Sequence, residues 1–408
     1  MNQPTSKHNL SEEREYRMEE KLANTPAALK RDLSRNYFKG YFFVTLSVHD
    51  HLPILGTMEG HYDTIHKQVI NANVRPTSLG ERVLHIWQTI PSFHPNVQLI
   101  DAQLMPEHFH GLIFLDSQKS GTPQHLGKII GGFMISCTHE YWDILGIDWK
   151  STRGHFGKKS DYRWTDKLHS HSLRGPSLFS AGYNEVSPIT QEEVETKIRY
   201  IHSNPERRII KGAQKDCFTM HRNNTSKNWT IGNIVEGLKH DSFLANHPEA
   251  LQESIDTIYN RILQNSTTQQ LHLDYIGDRK ILFNTCKLPL ICHRIDSDLF
   301  DCQKEAVLNQ AREGTVIVSA FISPKEREIL HQLLAEGLSV IEIVDNGFNS
   351  LYKPYGQNFY HCAEGKLLQI TCWTYQYKSD NTISRPMCLI MNELARVISG
   401  TKDDWWKN

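Results

Sequence analysis

Two histidines one residue apart, His108 and His110, stand inside the apolar stretch "LMPEHFHGLIF" (104–114). In an extended strand, residues i and i+2 point to the same face. The two imidazoles would therefore lie side by side, with Phe109 turned into the opposite layer. That is a ready pair of nitrogen donors for a metal ion, and it is also what two half-buried structural histidines look like. The bare pattern decides little, because the chain has 22 histidines and repeats the spacing as "HDH" (49–51) and "HSH" (169–171). Those two copies sit in polar, turn-like text; only the pair at 108 and 110 has the context of a strand.

Tyr200 and Asn204 form a second set. Four residues apart on a helix, they are neighbours on one face. The helix start is marked by Thr190 with Glu193 three residues on, a capping box just after Ser187-Pro188. It reads on through "QEEVETKIRYIHSN" and is expected to end or kink at Pro205. Val194, Ile198 and Ile201 fall on one stripe, the expected core face. Tyr200 and Asn204 lie about 100° round from it, at 100° per residue. A tyrosine, an amide oxygen and His202, flanked by Arg199, Arg207 and Arg208, make a surface suited to phosphate. An amphipathic tyrosine at a core edge is the plainer alternative.

The elements that must position these residues are legible around them. "YFFVTLSV" (41–48) has strand composition and length. "EGHYDTIHKQVINANV" (59–74) and "LGERVLHIWQTI" (79–90) show helical spacing of apolar residues. "VQLIDAQLMPEHFHGLIFL" reads as two strands with a turn at Met105-Pro106-Glu107, and "HLGKIIGGFMISCTHEYWDIL" as a helix. From Trp149 to Ser187 the text is basic, loop-like and rich in Gly, Ser and His.

Composition is that of an ordinary globular chain, 39% hydrophobic and 22% charged, long enough for two or three domains. There is no apolar run of membrane-spanning length, and the first twenty residues carry no apolar core of a secretory signal. A cytoplasmic protein without membrane contact is expected. Eight cysteines without a C-x-x-C read as free thiols; Cys286, Cys292, His293 and Cys302 match no zinc spacing. Net charge is −1, but residues 150–230 hold 15 Lys and Arg against 8 Asp and Glu. A local basic surface on a neutral chain points to a polyanion held at one place.

"MPEHFHGLIF" followed some ninety residues later by "YIHSNPERRIIKG" resembles the HUH single-strand DNA transposases. Within them it resembles most the REP-associated tyrosine transposases, whose usual pattern is M-P-x-H-x-H and then Y-I-H-x-N-P. The run "SLFSAGYNEVSPITQEEVETKIRYIHSNP" is similar to that family's approach to its tyrosine helix, and the match covers roughly residues 36–215. The resemblance implies that His108, His110 and Asn204 bind a divalent metal, Mg²⁺ or Mn²⁺, and that Tyr200 is the nucleophile. It also implies a 5′-phosphotyrosine intermediate, single-stranded and hairpin-containing DNA as partner, and room for a homodimer. Arg153, Lys158, Lys159, Arg163, Arg199, Arg207 and Arg208 would then hold the DNA backbone. Phe156, Tyr162 and Trp164 would stack bases or pack their loop.

Beyond residue 235 the pattern changes. "GTVIVSAFIS", "LSVIEIVDNG" and "KLLQITCW" are continuous apolar runs alternating with helical text such as "KEREILHQLLAEG", the mark of a parallel α/β sheet. "VSAFISPKEREILHQLLAEGLSVIEIVDNGF" resembles the Rossmann-like domain of the DNA-processing A family, without a glycine fingerprint. Its Ser323-Pro324 turn reads as helix capping, with Ser323 at the N-cap and Pro324 at N1; a nucleotide site is the sharper alternative. The expected organisation is α/β throughout. A polar tail (1–35) precedes a catalytic α+β domain with an antiparallel sheet (36–235). A connecting segment (236–300) then leads to a Rossmann-like accessory domain (301–400). The expected activity is metal-dependent DNA strand transfer. The alternatives are a replication-initiator or relaxase-type nickase and a domesticated hairpin-binding protein that does not cut.

Overall fold

The computed structural model describes residues 36–117, 124–147, 171–172, 175–188, 190–226, 228–241, 243–264, 268–350, 352–376 and 382–407. The polar tail over 1–35 and the basic and aromatic residues Arg153, Phe156, Lys158, Lys159, Tyr162, Arg163 and Trp164 lie outside them. The fold mixes helices with antiparallel and mixed sheets, an α/β class. The chain divides into two compact units, residues 1–209 and 210–408.

The first unit is built on a four-stranded antiparallel sheet in the order β4-β5-β1-β8 (Val97–Leu104, His108–Asp116, Lys39–Ser47, Asn184–Val186). Strands β4 and β5 are joined by the turn expected at Met105-Pro106-Glu107, and β5 pairs Thr45 with His110 and Ser47 with His108. Alternation of side chains sorts the sheet into two faces. Phe42, Val44, Leu46, Phe109, Ile113 and Leu115 pack with Val83, Trp87, Ile129 and Phe133 of helices Ser78–Phe93 and Leu126–Ile144. Phe43 and Leu112, on the other face, pack against Val194 and Ile201 of helix Gln191–Ala213. Each fully buried Phe or Leu on these faces stabilises the layers by about 1.5–3 kcal/mol. The stripe expected of Val194, Ile198 and Ile201 is thus the face that seats this helix.

Residues 59–74 depart from the helical reading. They lie in a hairpin of β2 (Gly56–Asp63) and β3 (Gln68–Pro76). Turn chemistry decides against the helix. The Asp63 carboxylate accepts from the amides of Ile65 (2.8 Å) and His66 (3.2 Å), and Lys67 takes a positive φ of 51°. A bulge with Gly60 at φ 99° and Asn71 at φ 54° then lets the strands pair. Between β5 and β8, a two-residue antiparallel ladder joins β6 (His171–Ser172) to β7 (Gly175–Pro176).

Of the two outcomes expected at Pro205, helix Gln191–Ala213 does not end there but runs through it. A proline there removes the amide that Ile201's carbonyl would accept. The Asn204 side chain replaces it: Nδ2 donates to the carbonyls of Tyr200 (2.7 Å) and Ile201 (3.3 Å). The start of the helix is capped as read, by Glu193 amide to Thr190 Oγ1 and Thr190 amide to Glu193 Oε2, both at 3.2 Å.

The second unit holds a six-stranded sheet in the order β11-β12-β13-β14-β10-β9 (Lys287–Pro289, Val316–Ser319, Val340–Ile343, Leu367–Thr371, Leu273–Gly277, His221–Asn224). The first four are parallel; β10 and β9 add antiparallel. Helices Ile231–Lys239, Pro248–Arg261 and Arg385–Ser399 cover one face, and helices Phe300–Arg312, Pro324–Ala335 and Gln357–Ala363 the other. Burial on both faces is why strands β12 to β14 read as mainly apolar runs; Glu342 in β13 and Gln369 in β14 bond each other at 2.6 Å. Residues 236–300, expected as a connecting segment, contribute two helices and strands β10 and β11 to this unit, and its edge strand β9 begins before residue 235. Those strands are short and polar-flanked, and only sheet pairing identifies them.

Ser323 caps helix Pro324–Ala335 in a full capping box with Glu326. The buried Glu326 carboxylate also accepts from the Cys292 amide (2.9 Å). A protein carboxylate therefore stands at the helix start where the sharper reading placed a phosphate. Among the cysteines, Cys137, Cys362 and Cys372 are buried free thiols, while Cys286 and Cys302 are exposed. His293 bonds Asp403, and among the described residues no group of three or more His, Cys, Asp or Glu is arranged to hold a metal. No helix among the described residues is long and apolar enough to cross a membrane.

Candidate active site

Strand β5 presents His108 and His110 on the sheet face that receives helix Gln191–Ala213. Their Nε2 atoms approach to 3.1 Å. Two nitrogens each about 2.1 Å from one ion stand about 3 Å apart at a right angle, so this spacing fits neighbouring ligands of a single cation. Without a cation, one Nε2 must carry the proton that bonds the pair. With one, both Nε2 atoms must be bare and both ring protons must sit on Nδ1.

Each Nδ1 has a partner. Thr45 Oγ1 lies 2.9 Å from His110 Nδ1, placed there by the Thr45–His110 register of β1 and β5. Glu107 Oε1 lies 3.7 Å from His108 Nδ1. The Thr45 contact is a hydrogen bond of the kind that fixes a tautomer; the Glu107 contact is longer than a hydrogen bond, and its negative charge favours a proton on His108 Nδ1. Burial, reinforced by the neighbouring His108 and opposed by a hydrogen bond with Asn204, lowers the His110 pKa to about 3. Its imidazole is therefore neutral at physiological pH, with a lone pair available for ligation.

Tyr200 stands beside the pair. Its ring centroid is 5.6 Å from that of His110 and 5.9 Å from that of Phe43, edge-on to both, and the side chain is 39% exposed. The tyrosine is thus positioned by the sheet yet open to a large substrate. Asn204 lies one turn on. Because its Nδ2 is committed to the backbone below Pro205, its Oδ1 is the atom left to meet His110 and anything held there. His108, His110, Tyr200 and Asn204 therefore converge on one surface.

The cations near the site are not equivalent. The Arg207 guanidinium lies over the Tyr200 ring at 5.7 Å. Arg208 instead reaches the sheet, with Nη1 3.3 Å from Glu107 Oε1. Arg199 bonds Thr196 Oγ1 (3.0 Å) along its own helix. His202 Nε2 pairs with Asp101 Oδ2 at 2.8 Å. Sequence reasoning missed Thr45, Asp101 and Glu107, which act across strands. The one signal for Glu107 was its place between Pro106 and His108.

Against known proteins, no family model matches the chain. An uncharacterized protein of Haemophilus influenzae is 25% identical over 117 residues, which cover 24% of this chain and 59% of that protein. Two solved structures show partial similarity. A REP-associated tyrosine transposase bound to a REP hairpin aligns at 13% identity and TM-score 0.24, over 43% of this chain and 72% of that one. DNA processing protein A of Helicobacter pylori, solved for its single-stranded DNA binding mode, aligns at 19% identity and TM-score 0.24, over 31% and 57%. At such scores the site's own geometry has to carry any reading of function.

Proposed function

We propose that the protein is a metal-dependent, single-stranded DNA strand transferase with Tyr200 as nucleophile. The observation that carries this is the convergence of two facing imidazole nitrogens, the Asn204 amide oxygen and an exposed tyrosine on one sheet–helix surface. A divalent ion held by His108, His110 and Asn204, Mn²⁺ or Mg²⁺, would supply positive charge against the phosphate oxygens. The chain's own residues supply the remainder. The Tyr200 hydroxyl gives up its proton and its oxygen bonds to phosphorus. The bond from phosphorus to the 3′ oxygen breaks, and that oxygen takes up a proton in place of the one Tyr200 released and leaves as a 3′-OH. The 5′ phosphate stays on Tyr200 as a phosphodiester, so attack by another 3′-OH rejoins DNA without ATP. Arg207, over the Tyr200 ring, is placed to offset backbone charge. Arg199, Arg208 and the basic residues Arg153, Lys158, Lys159 and Arg163 would extend that surface along a hairpin-containing strand.

The test is incubation of the full chain with labelled single-stranded hairpin oligonucleotides and Mn²⁺ or Mg²⁺, resolved on a denaturing protein gel. A covalent adduct that disappears with EDTA and in Tyr200→Phe is expected. No adduct on oligonucleotides that the protein demonstrably binds would refute strand transfer and leave a non-cutting hairpin-binding protein.

A further inference from the structure

Glu107 reaches both the histidine strand and the tyrosine helix with a single carboxylate. Its backbone is fixed by Val48, whose amide donates to the Glu107 carbonyl (2.9 Å), and the preceding Pro106 carbonyl accepts from Leu55 (3.0 Å). The side chain is only 14% exposed. Oε1 lies 3.3 Å from Arg208 Nη1 and 3.7 Å from His108 Nδ1, a charge contact longer than a hydrogen bond, and Oε2 is buried without a hydrogen-bond partner. A buried carboxylate with one oxygen unsatisfied is costly to fold around. An apolar residue would fill the turn at less cost. Arg208 stands two turns beyond Tyr200, so the contact also ties the axial position of the helix to the His108 end of β5.

We infer that Glu107 is a positioning residue: it holds the His108 proton on Nδ1, so that Nε2 faces His110 Nε2 as a bare donor, and through Arg208 it locks the Tyr200 helix in register with that pair. This rests on the metal-dependent reading given above. It also accounts for an asymmetry in the site. The buried His110 is oriented by the neutral hydroxyl of Thr45, whereas the more open His108 is oriented by a carboxylate whose charge opposes that of a bound cation. Carboxylate partners of ligating histidines typically contribute 10- to 100-fold in metal affinity.

The experiment uses the full chain in Glu107→Met, Glu107→Gln and His110→Ala forms, with Mn²⁺ binding followed by the electron paramagnetic resonance of free Mn²⁺. In parallel, ¹⁵N-histidine spectra of the metal-free protein, assigned by the signal lost in His108→Ala, report the His108 tautomer. Glu107→Met should weaken Mn²⁺ binding by about tenfold or more and convert the single His108 tautomer into a mixture. Glu107→Gln, which keeps an acceptor oxygen, should restore most of the tautomer signal and guards against a folding defect in the Met form. Wild-type affinity and an unchanged tautomer in Glu107→Met would overturn the assignment while His110→Ala still lost Mn²⁺. If instead His110→Ala bound Mn²⁺ as the wild type does, the metal site itself would fail, and the tautomer spectra would still decide the role of Glu107.

Discussion

The Asn204 side chain has two duties, and they can be separated by a double-mutant cycle. With proline at 205, Ile201's carbonyl depends on Asn204 Nδ2 at 3.3 Å. Asn204→Ala removes that donor from a carbonyl beside the fully buried Ile201 side chain. A buried acceptor left unsatisfied costs about 1–3 kcal/mol, roughly a 5- to 150-fold change in a local opening equilibrium. Pro205→Ala gives the backbone an amide at that position which can bond the same carbonyl. In that background Asn204→Ala removes only the extra bond to the Tyr200 carbonyl, worth about 0.5–1.5 kcal/mol at most. Hydrogen exchange of peptides spanning the middle of helix Gln191–Ala213, measured on the full chain, reads the difference directly. Exchange should quicken about tenfold or more on Asn204→Ala with Pro205 present, and by only a few-fold in the Pro205→Ala background. Equal acceleration in both backgrounds would refute the claim that the amide stands in for the missing N–H. It would also free Oδ1 from the orientation argued for the active site.

Three further outcomes are expected. A Cβ at Gly111 would lie 2.3 Å from the Trp87 ring, which is itself buried among Phe109 and Phe133, so Gly111→Ala should destabilise the first unit by about 1–3 kcal/mol in a urea titration; an unchanged midpoint would show that Trp87 can yield. The hydrogen bond to Asp403 raises the His293 pKa above its ordinary value of 6.5 despite burial, so its stabilisation is complete below pH 6.5 and is lost as pH rises through the raised value. The stability gap between wild type and His293→Gln should therefore be full below pH 6.5 and shrink as pH rises above it, and a constant gap would contradict the pairing. Glu326→Ala removes the acceptor of both Ser323 and Cys292 amides and should cost about 0.5–2 kcal/mol, seen as faster exchange in helix Pro324–Ala335; protection equal to wild type would count against the capping role.

Much of the fold was legible because its signals are local. The β4–β5 turn, the Thr190–Glu193 cap, the Val194/Ile198/Ile201 stripe and the mainly apolar runs of β12 to β14 each follow from residues near one another in sequence. The stretch 59–74 failed because its apolar residues fit two periods, and the Asp63 turn and the bulge at Gly60 settled the choice. The helix does not end at Pro205 for a related reason: the rule concerns a missing donor, and a neighbouring side chain supplied one.

The candidate site divides along the same line. Sequence determined which residues could do chemistry and that His108 and His110 share a face, since a strand's period fixes that without any partner. Tertiary structure alone decided that Tyr200 lies 5.6 Å, ring to ring, from His110, and that Thr45 and Glu107 hold the two Nδ1 positions. It also decided that His202 turns to Asp101 and Arg208 to Glu107. Those facts depend on strand register and on how a helix seats against a sheet. Both are set by packing between segments as far apart as Phe43 and Ile201, 158 residues, which no local pattern records.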